Sequence, residues 1–417
     1  MKKLSLLFSL AVFASLSGQN IKDEKVQYQY VKLPSNPVSP KPANYTAVLV
    51  STADAENARL LANYEAEKIQ AESDYQRELA EYDKRVKAAD EQFAKDMEAY
   101  NAKSTATKIV ERQLLNENTK PVKQYVSVPS KRYVSEPKLF TVYDAPTLAS
   151  TYLKIDGFDR SASGELQYIV EMKPFEYSSP RMVSETRKET SVANGKSNSY
   201  NITYYHLEFE YRQPMTVKVL RNNSQEIYFE APAKLLEFTK YKSDESKTSP
   251  SMDVTILVKN MESQMLKQNL EFINHLVNDR IGFEVSNRNA VLEYVKSKKG
   301  EYDDLLNAFD LAKTGYALMN KSDAEATSKL KEAVAIWKKA MEESDIANKK
   351  ARIDEKVTIS VGFNLLEAFF ALRQVEEAEA IMSILKKIDL SRKETKLLES
   401  YTQEFLDLKI RKIANGL

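Results

Sequence analysis

The chain has 417 residues with 61 basic and 60 acidic side chains, a formal charge of +1, so nothing in its balance attracts nucleic acid or an anionic membrane. A hydrophobic content of 42% is enough to bury cores, and the length suits about two or three domains. The absence of cysteine excludes disulfides, thiolate metal sites, cysteine nucleophiles and the direct lipid anchor of a lipoprotein, and nine glycines leave few tight phosphate-binding turns.

Residues 1–18 read as a cleavable export signal. Lys2 and Lys3 precede an apolar run from Leu4 to Ala14, and Ser15, Ser17 and Gly18 supply the small residues of a cut site. The run is shorter than the about 20 residues that cross a bilayer. Cleavage before Gly18 or Gln19 leaves 59 basic against 60 acidic side chains. No later segment reaches the length and apolarity of a membrane span. The expected location is the periplasm, or a peripheral position at the outer membrane or cell surface, with any attachment made through a partner.

Residues 19–52 read as the first strands of a β-domain. Val26, Tyr28, Tyr30 and Lys32 alternate with Gln27, Gln29, Val31 and Leu33. Pro34, Pro37, Pro40 and Pro42 interrupt, and 45–50 forms a second short strand. Residues 53–117 are helical. No proline or glycine occurs between Pro42 and Pro121, and 53–101 is dense in strong helix formers. Tyr75, Leu79, Tyr82, Val86, Ala89 and Phe93 step by 4, 3, 4, 3 and 4, a heptad seam that Met97 and Tyr100 extend slightly out of phase. Fifty residues at about 1.5 Å each make a rod of about 75 Å. One long helix is favoured over a helical hairpin, its seam packed on another helix or on a partner, with self-association as one such pairing. A second helix is expected over 105–115.

Residues 118–258 return to strands. Tyr125-Val126-Ser127-Val128-Pro129-Ser130 repeats Tyr30-Val31-Lys32-Leu33-Pro34-Ser35, which implies that the helices are inserted in one β-domain. Thr203, Tyr205, Leu207, Phe209 and Tyr211 form one strand face, with Tyr204, His206, Glu208 and Glu210 on the polar one. Leu166, Tyr168, Val170 and Met172 alternate in the same way, and further strands are expected at 216–220, 226–230 and 253–258. The polar stretch 178–199 reads as a mobile loop. The pattern predicts an antiparallel β-sandwich. Residues 259–417 read as all helix, in segments 260–278, 287–298, 301–319, 324–343, 357–372, 375–387 and 392–414. The fold class is α+β and multidomain: a sandwich-like domain with a helical insertion, then an all-α stack.

Within that stack, Leu330 to Ala340 and Val375 to Met382 resemble the second helices of tetratricopeptide repeats, and Asn364 to Phe370 resembles a first helix. Ala333, Ala340 and Ala378 fall where such a repeat keeps small residues, Trp337 is a large knob, and Leu365, Phe369 and Met382 fill the same packing layer. The resemblance covers roughly 115 residues as about two degenerate repeats, spaced 45 residues between Ala333 and Ala378 rather than about 34. It implies helical-hairpin stacking and a concave surface for a protein or peptide partner.

Catalytic constellations are missing from the pattern. There is no His-Glu-x-x-His, no Gly-x-Ser-x-Gly and no pair of glycines two apart, so neither a zincin motif, a nucleophile elbow nor a dinucleotide fingerprint is present. His206 and His275, the two histidines, read as a strand residue and a helix-surface or packing residue. Glu208 and Glu210 could serve two-carboxylate hydrolysis only across a cleft, and a solvated sheet face is the simpler reading. Asp156-Gly157-Phe158-Asp159-Arg160-Ser161 has oxygen ligands without EF-hand spacing and reads as a turn. No cofactor or metal is implied. The expectation is an exported, non-enzymatic interaction or scaffold protein of a bacterial cell envelope, binding protein partners and no nucleic acid. The alternatives are a periplasmic holdase that uses the long helix and a carbohydrate-binding protein that uses the tyrosine-rich β-domain.

Overall fold

Local sequence sets most of the elements, and long-range pairing decides the rest. The computed structural model describes residues 20–417 apart from 114–119, 194–195, 223, 250–252 and 297–299. The export signal at 1–18 lies outside the described residues. In chain order the elements are β1 (Asn20–Val31), β2 (Asn44–Ser51), α1 (Ala53–Ala102), α2 (Thr105–Gln113), α3 (Ala145–Tyr152), β3 (Asp159–Arg160), β4 (Leu166–Met172), β5 (Glu176–Tyr177), β6 (Arg181–Ala193), β7 (Lys196–Arg212), β8 (Met215–Arg221), β9 (Gln225–Glu230), α4 (Ala233–Leu236), β10 (Thr239–Lys242), α5 (Val254–Arg280) and β11 (Val285–Lys296). Five helices follow: α6 (Asp303–Leu318), α7 (Asp323–Glu342), α8 (Glu355–Leu372), α9 (Val375–Leu385) and α10 (Arg392–Ala414). The result is a mixed α and β structure with a C-terminal helical region.

A five-stranded sheet runs β3-β2-β4-β8-β9. It is mixed rather than purely antiparallel, because β2 pairs in parallel with both β3 and β4. A parallel neighbour needs a crossover connection, and here that connection contains α1, α2 and α3. The alternation of β4 is kept: Leu166, Tyr168, Val170 and Met172 are buried, facing Leu266, Leu270, Ile273 and Val277 of α5 with Leu153 and Ile155. The buried face of this sheet is therefore closed by helices rather than by a second sheet. Residues 253–258 do not form the expected strand. Asp253 accepts hydrogen bonds from the backbone N–H groups of Thr255 (2.9 Å) and Ile256 (3.2 Å) and so caps α5, turning a valine-rich start into a helix.

The second sheet is built on β7, which pairs with β5 and β6 along one edge and with β10 on the other. Residues 178–199, expected as a loop, instead supply β6 and the start of β7 in a long antiparallel ribbon. Threonine and serine on a two-sided solvated ribbon give no apolar face to signal a strand, yet threonine suits one. The first half of α5 covers this sheet through Val254, Leu257, Val258 and Met261, which pack with Phe175 and Phe209. One helix thus spans both sheets. Against expectation the polar face of β7 is only partly solvated: His206 is 4% exposed and Glu208 is buried with it, while Glu210 is exposed.

The third sheet joins the start of the described chain to the strand that precedes the C-terminal helices. β1 pairs antiparallel with β11 along all twelve residues, from Asn20 opposite Lys296 to Val31 opposite Val285. Residues 287–298 were expected as a helix, since Ala290, Leu292, Glu293 and Lys296 are good helix formers; pairing with β1 overrides that preference. β1 consequently belongs to the C-terminal core and not to the sheet that holds β2. The ribbon lies against α6 and α8. α8 is buried on every side from Val357 to Phe370. Ala333, Trp337, Ala340, Leu365, Phe369, Ala378 and Met382 all lie in this core.

α1 is one unbroken 50-residue helix, and among the described residues no other helix or strand packs along its length. Its companion is the extended segment 121–144, which here is named the strap. The strap forms no strand, contrary to the expectation for 125–130; Pro121, Pro129 and Pro137 remove backbone donors at regular intervals. Lys123 pairs with Asp90, Lys131 with Glu72 at 2.5 Å, and near the base Asn57 exchanges two side-chain hydrogen bonds with the backbone of Phe140 (3.0 and 2.8 Å). The seam residues Tyr75, Leu79, Tyr82, Val86, Ala89 and Phe93 are half-buried, as are Val126, Pro129, Val134 and Pro137 of the strap. The seam is thus matched by an extended strap rather than by another helix.

The match is metric. The strap carries an eight-residue repeat, Pro121-Val122-Lys123-Gln124-Tyr125-Val126-Ser127-Val128 followed by Pro129-Ser130-Lys131-Arg132-Tyr133-Val134-Ser135-Glu136. Its two lysine anchors are eight residues apart, and their carboxylates are 18 apart on α1. Eighteen helical residues make about five turns and about 27 Å, and eight residues of extended chain reach about the same distance at about 3.3 Å each. Charge reinforces geometry: α1 carries 13 acidic and 7 basic side chains, and 120–144 carries 5 basic and 2 acidic. Reversing both anchors (Lys123→Glu with Lys131→Glu) is expected to free the strap. Limited trypsin digestion should then cut at Arg132 at least about tenfold faster while helicity by circular dichroism stays within error; an unchanged cleavage rate would show that the anchors do not hold the strap.

Candidate functional site

From Val357 to Leu372 the sequence holds a single charged side chain, Glu367, on the helix at the centre of the C-terminal core. A carboxylate at 1% exposure survives only if its lone pairs are filled. Tyr28 of β1 donates to it at 2.5 Å, Tyr401 of α10 at 2.7 Å, and Arg288 of β11 donates through Nε at 2.7 Å and a terminal nitrogen at 2.9 Å. One side chain therefore ties α8 to β1, β11 and α10. Arg288 also lies 4.0 Å over the Phe370 ring and meets Glu404 at 2.7 Å. Burial and then the neighbouring carboxylate push the Tyr28 and Tyr401 hydroxyls well above their ordinary pKa. Burial opposes the charge on Arg288, but Glu367 more than restores it. Tyr316 stacks on Tyr28 at 4.6 Å, its buried hydroxyl unpartnered among the described residues.

A second cluster joins the C-terminal helices to α5. Arg411 of α10 reaches Asp279 at 2.8 Å and Asp407 at 2.7 Å, and donates to the carbonyls of Leu33 (2.8 Å) and Asp279 (3.0 Å). Lys32 reaches the same Asp279 oxygen at 2.6 Å. The proline-rich segment after β1 is threaded through this latch, with Ser35 and Asn36 N–H groups bonded to the last carbonyls of α5. Burial pushes the Asp279 carboxyl up, but Lys32 and then Arg411 outweigh it and hold the pKa below its ordinary 3.8.

Between these clusters opens a pocket of about 240 Å³. Its floor is Tyr30 to Leu33 at the end of β1, and its walls come from three helices. Asp323, Ala326, Thr327 and Leu330 share one face of α7; Glu404, Asp407, Leu408 and Arg411 share one face of α10; Phe370 to Arg373 end α8. Arg373 caps α8 in the left-handed conformation (φ 57°) and donates to the Val31 carbonyl at 2.8 Å. The arrangement can receive a small polar ligand against an apolar wall.

The residues singled out in the sequence are distributed otherwise. The seam residues line the arm, and the helix-packing residues lie in the core behind the pocket. His206 sits 2.8 Å from Glu208, whose carboxyl is held down to about 2 by His206 and then Lys240. Glu210 is exposed, and His275 pairs with Glu284 on the surface. Asp156 to Ser161 forms a turn in which Gly157 (φ 84°) lies so close to Phe283 that a Cβ would stand 2.9 Å from the ring. Among the described residues no group of three or more potential ligands could hold a metal ion, and no helix is long and apolar enough to cross a membrane. Sequence reasoning missed Glu367, whose isolation in an apolar helix was the available signal, and Arg373, which carried none. Neither a protein-family model nor a curated protein matches this chain.

Two outcomes follow from the clusters. Removing the buried carboxylate (Glu367→Ala) leaves Arg288 with Glu404 alone and takes the acceptor from the Tyr28 and Tyr401 hydroxyls, and is expected to lose about 3 kcal/mol in denaturant unfolding. The double replacement Arg288→Met with Glu367→Met should lose less than the sum of the single losses; strict additivity would mean that the two groups are not coupled. Asp279 has a depressed folded pKa, so its stabilisation is present above its unfolded value near 3.8 and is lost as pH falls through the lower folded value. Asp279→Asn should therefore lower the melting temperature at about pH 6 and flatten its fall towards about pH 2; parallel curves for variant and parent would contradict this.

Proposed function

We propose that the mature chain is an exported, non-enzymatic interaction protein of a bacterial cell envelope, with the α1–strap arm as its principal docking element. The C-terminal helices, arranged as tetratricopeptide-like hairpins, serve as the body that holds the arm. The observation that carries this reading is the outer face of the strap. Tyr125 and Tyr133 are 86% and 85% exposed, one repeat apart, with Val122 and Val128 also facing solvent. Tyrosine is a preferred anchor at protein interfaces, and a periodic row of exposed aromatic and aliphatic groups on a rod is a surface suited to a partner. A holdase would need the α1 seam open, and with the strap lying on it that reading has less support. A sugar-binding role keeps one favouring feature, the same two outward rings, since aromatic faces stack on sugars as well as on protein.

The test is affinity purification of the tagged chain from gently solubilised envelopes, followed by reconstitution with the purified partner. Tyr125→Ser with Tyr133→Ser should weaken that reconstituted complex at least about tenfold, at an unchanged melting temperature, since hot-spot truncation costs about 2 kcal/mol or more. Undiminished binding by the variant would contradict the arm as the docking element. Retention in polysaccharide gels that the same variant abolishes would favour the sugar-binding reading.

A further inference from the structure

The pocket between α7, α8 and α10 has an unusual charge account. Six charged side chains line it: Lys32, Arg373, Arg411, Asp323, Glu404 and Asp407. Four of them are matched within the chain, Lys32 and Arg411 by Asp279, Glu404 by Arg288, and Asp407 by Arg411. Arg373 and Asp323 are the exceptions, with no salt bridge among the described residues. Arg373 spends one hydrogen bond on the Val31 carbonyl, and Asp323 accepts one from the Asn320 N–H at 3.1 Å. A guanidinium has five donors and a carboxylate two acceptor oxygens, so both keep unused capacity. Both line the same pocket without closing into an ion pair. Burial disfavours the charge on Arg373, so the site gains from any carboxylate delivered to it.

We propose that this pocket binds a small zwitterion with an apolar side group, of the α-amino-acid type. Its carboxylate takes the free edge of Arg373, its ammonium takes Asp323, and its side group lies on Leu330, Phe370 and Leu408. Two features select this chemistry. A plain anion would meet Asp323, Glu404 and Asp407, and a plain cation would meet the half-buried Arg373, whereas a zwitterion satisfies both unmatched groups. The volume of about 240 Å³ falls below the about 300–1,000 Å³ of pockets that hold drug-sized ligands, which restricts the occupant to a small molecule. The proposal concerns the body and does not rest on the arm as a docking element.

The experiment titrates the full mature chain with leucine and phenylalanine by calorimetry and saturation-transfer NMR, with leucinamide and N-acetyl-leucine as single-charge controls. Saturable binding of a free amino acid is expected, weakened at least about tenfold in each capped form, as loss of a charge-assisted hydrogen bond predicts. Arg373→Asn, which tolerates the left-handed backbone, should weaken leucine by a similar factor and leave leucinamide unaffected. Asp323→Asn should do the same for leucine and leave N-acetyl-leucine unaffected. Thr327→Trp, which fills the pocket, should abolish binding and serves as the decisive variant if Arg373→Asn fails to fold. No saturable binding by any free amino acid, or binding indifferent to all three substitutions, would overturn the proposal.

Discussion

The C-terminal half of this protein depends on one buried carboxylate. Glu367 fills its oxygens with two tyrosine hydroxyls and a forked guanidinium, drawn from elements at opposite ends of the chain: Tyr28 lies 339 residues before it. A buried charge tolerates no partial solution, so all three donors must arrive together. That requirement pulls β1 away from the sheet that holds β2 and seats it beside β11. The proline-rich segment that follows β1 then has to pass the end of α5, where Asp279, Lys32 and Arg411 hold it. The pocket is what remains between these two obligations, which is why its lining is so rich in charge and so nearly balanced.

The other half of the account is a problem of lengths. A 50-residue helix that no other helix or strand packs along would expose its whole apolar seam. Covering that seam with a second helix would need an equal number of residues. An extended chain rises about twice as far per residue, about 3.3 Å against about 1.5 Å, so a strap of half the length suffices. The eight-residue repeat sets Lys123 and Lys131 over Asp90 and Glu72, carboxylates about five turns apart on α1. Tyr125 and Tyr133, one repeat apart, are both left exposed, so the strap that closes the arm also presents them to solvent.

Much of this was legible locally. The helical segments at 301–319, 324–343, 357–372 and 392–414 coincide with α6, α7, α8 and α10 to within a few residues, because their periodicity and caps are properties of the segment itself. The seam of α1 was legible for the same reason. What covers the seam was not, since a heptad stripe says that something apolar packs there without saying whether it is helix or strap. The doubled Lys-x-Tyr-Val-Ser motif at Lys123 and Lys131 was a visible sign of the strap's period. The pairing of β1 with β11 joins segments more than 250 residues apart, and nothing local to 285–296 distinguishes its strand from a helix. The β6 half of the ribbon was hidden because 181–190 is almost entirely polar and solvated, whereas the alternation at 203–211 marked the rest of β7. The pocket's unmatched charges were beyond sequence altogether: Arg373 reads as an ordinary helix-end residue until α7 and β1 are placed around it.

The most direct test of the arm uses the absence of cysteine, which allows paired spin labels to be placed cleanly. Labels at Ser73→Cys on α1 and Ser130→Cys on the strap flank the Lys131–Glu72 anchor. If the strap lies in register along the helix, pulsed dipolar spectroscopy will give one narrow distance below about 20 Å, under two helix diameters. A broad distribution centred well beyond that distance would show a strap detached from α1, and the presented row of tyrosines on which the functional reading rests would not exist.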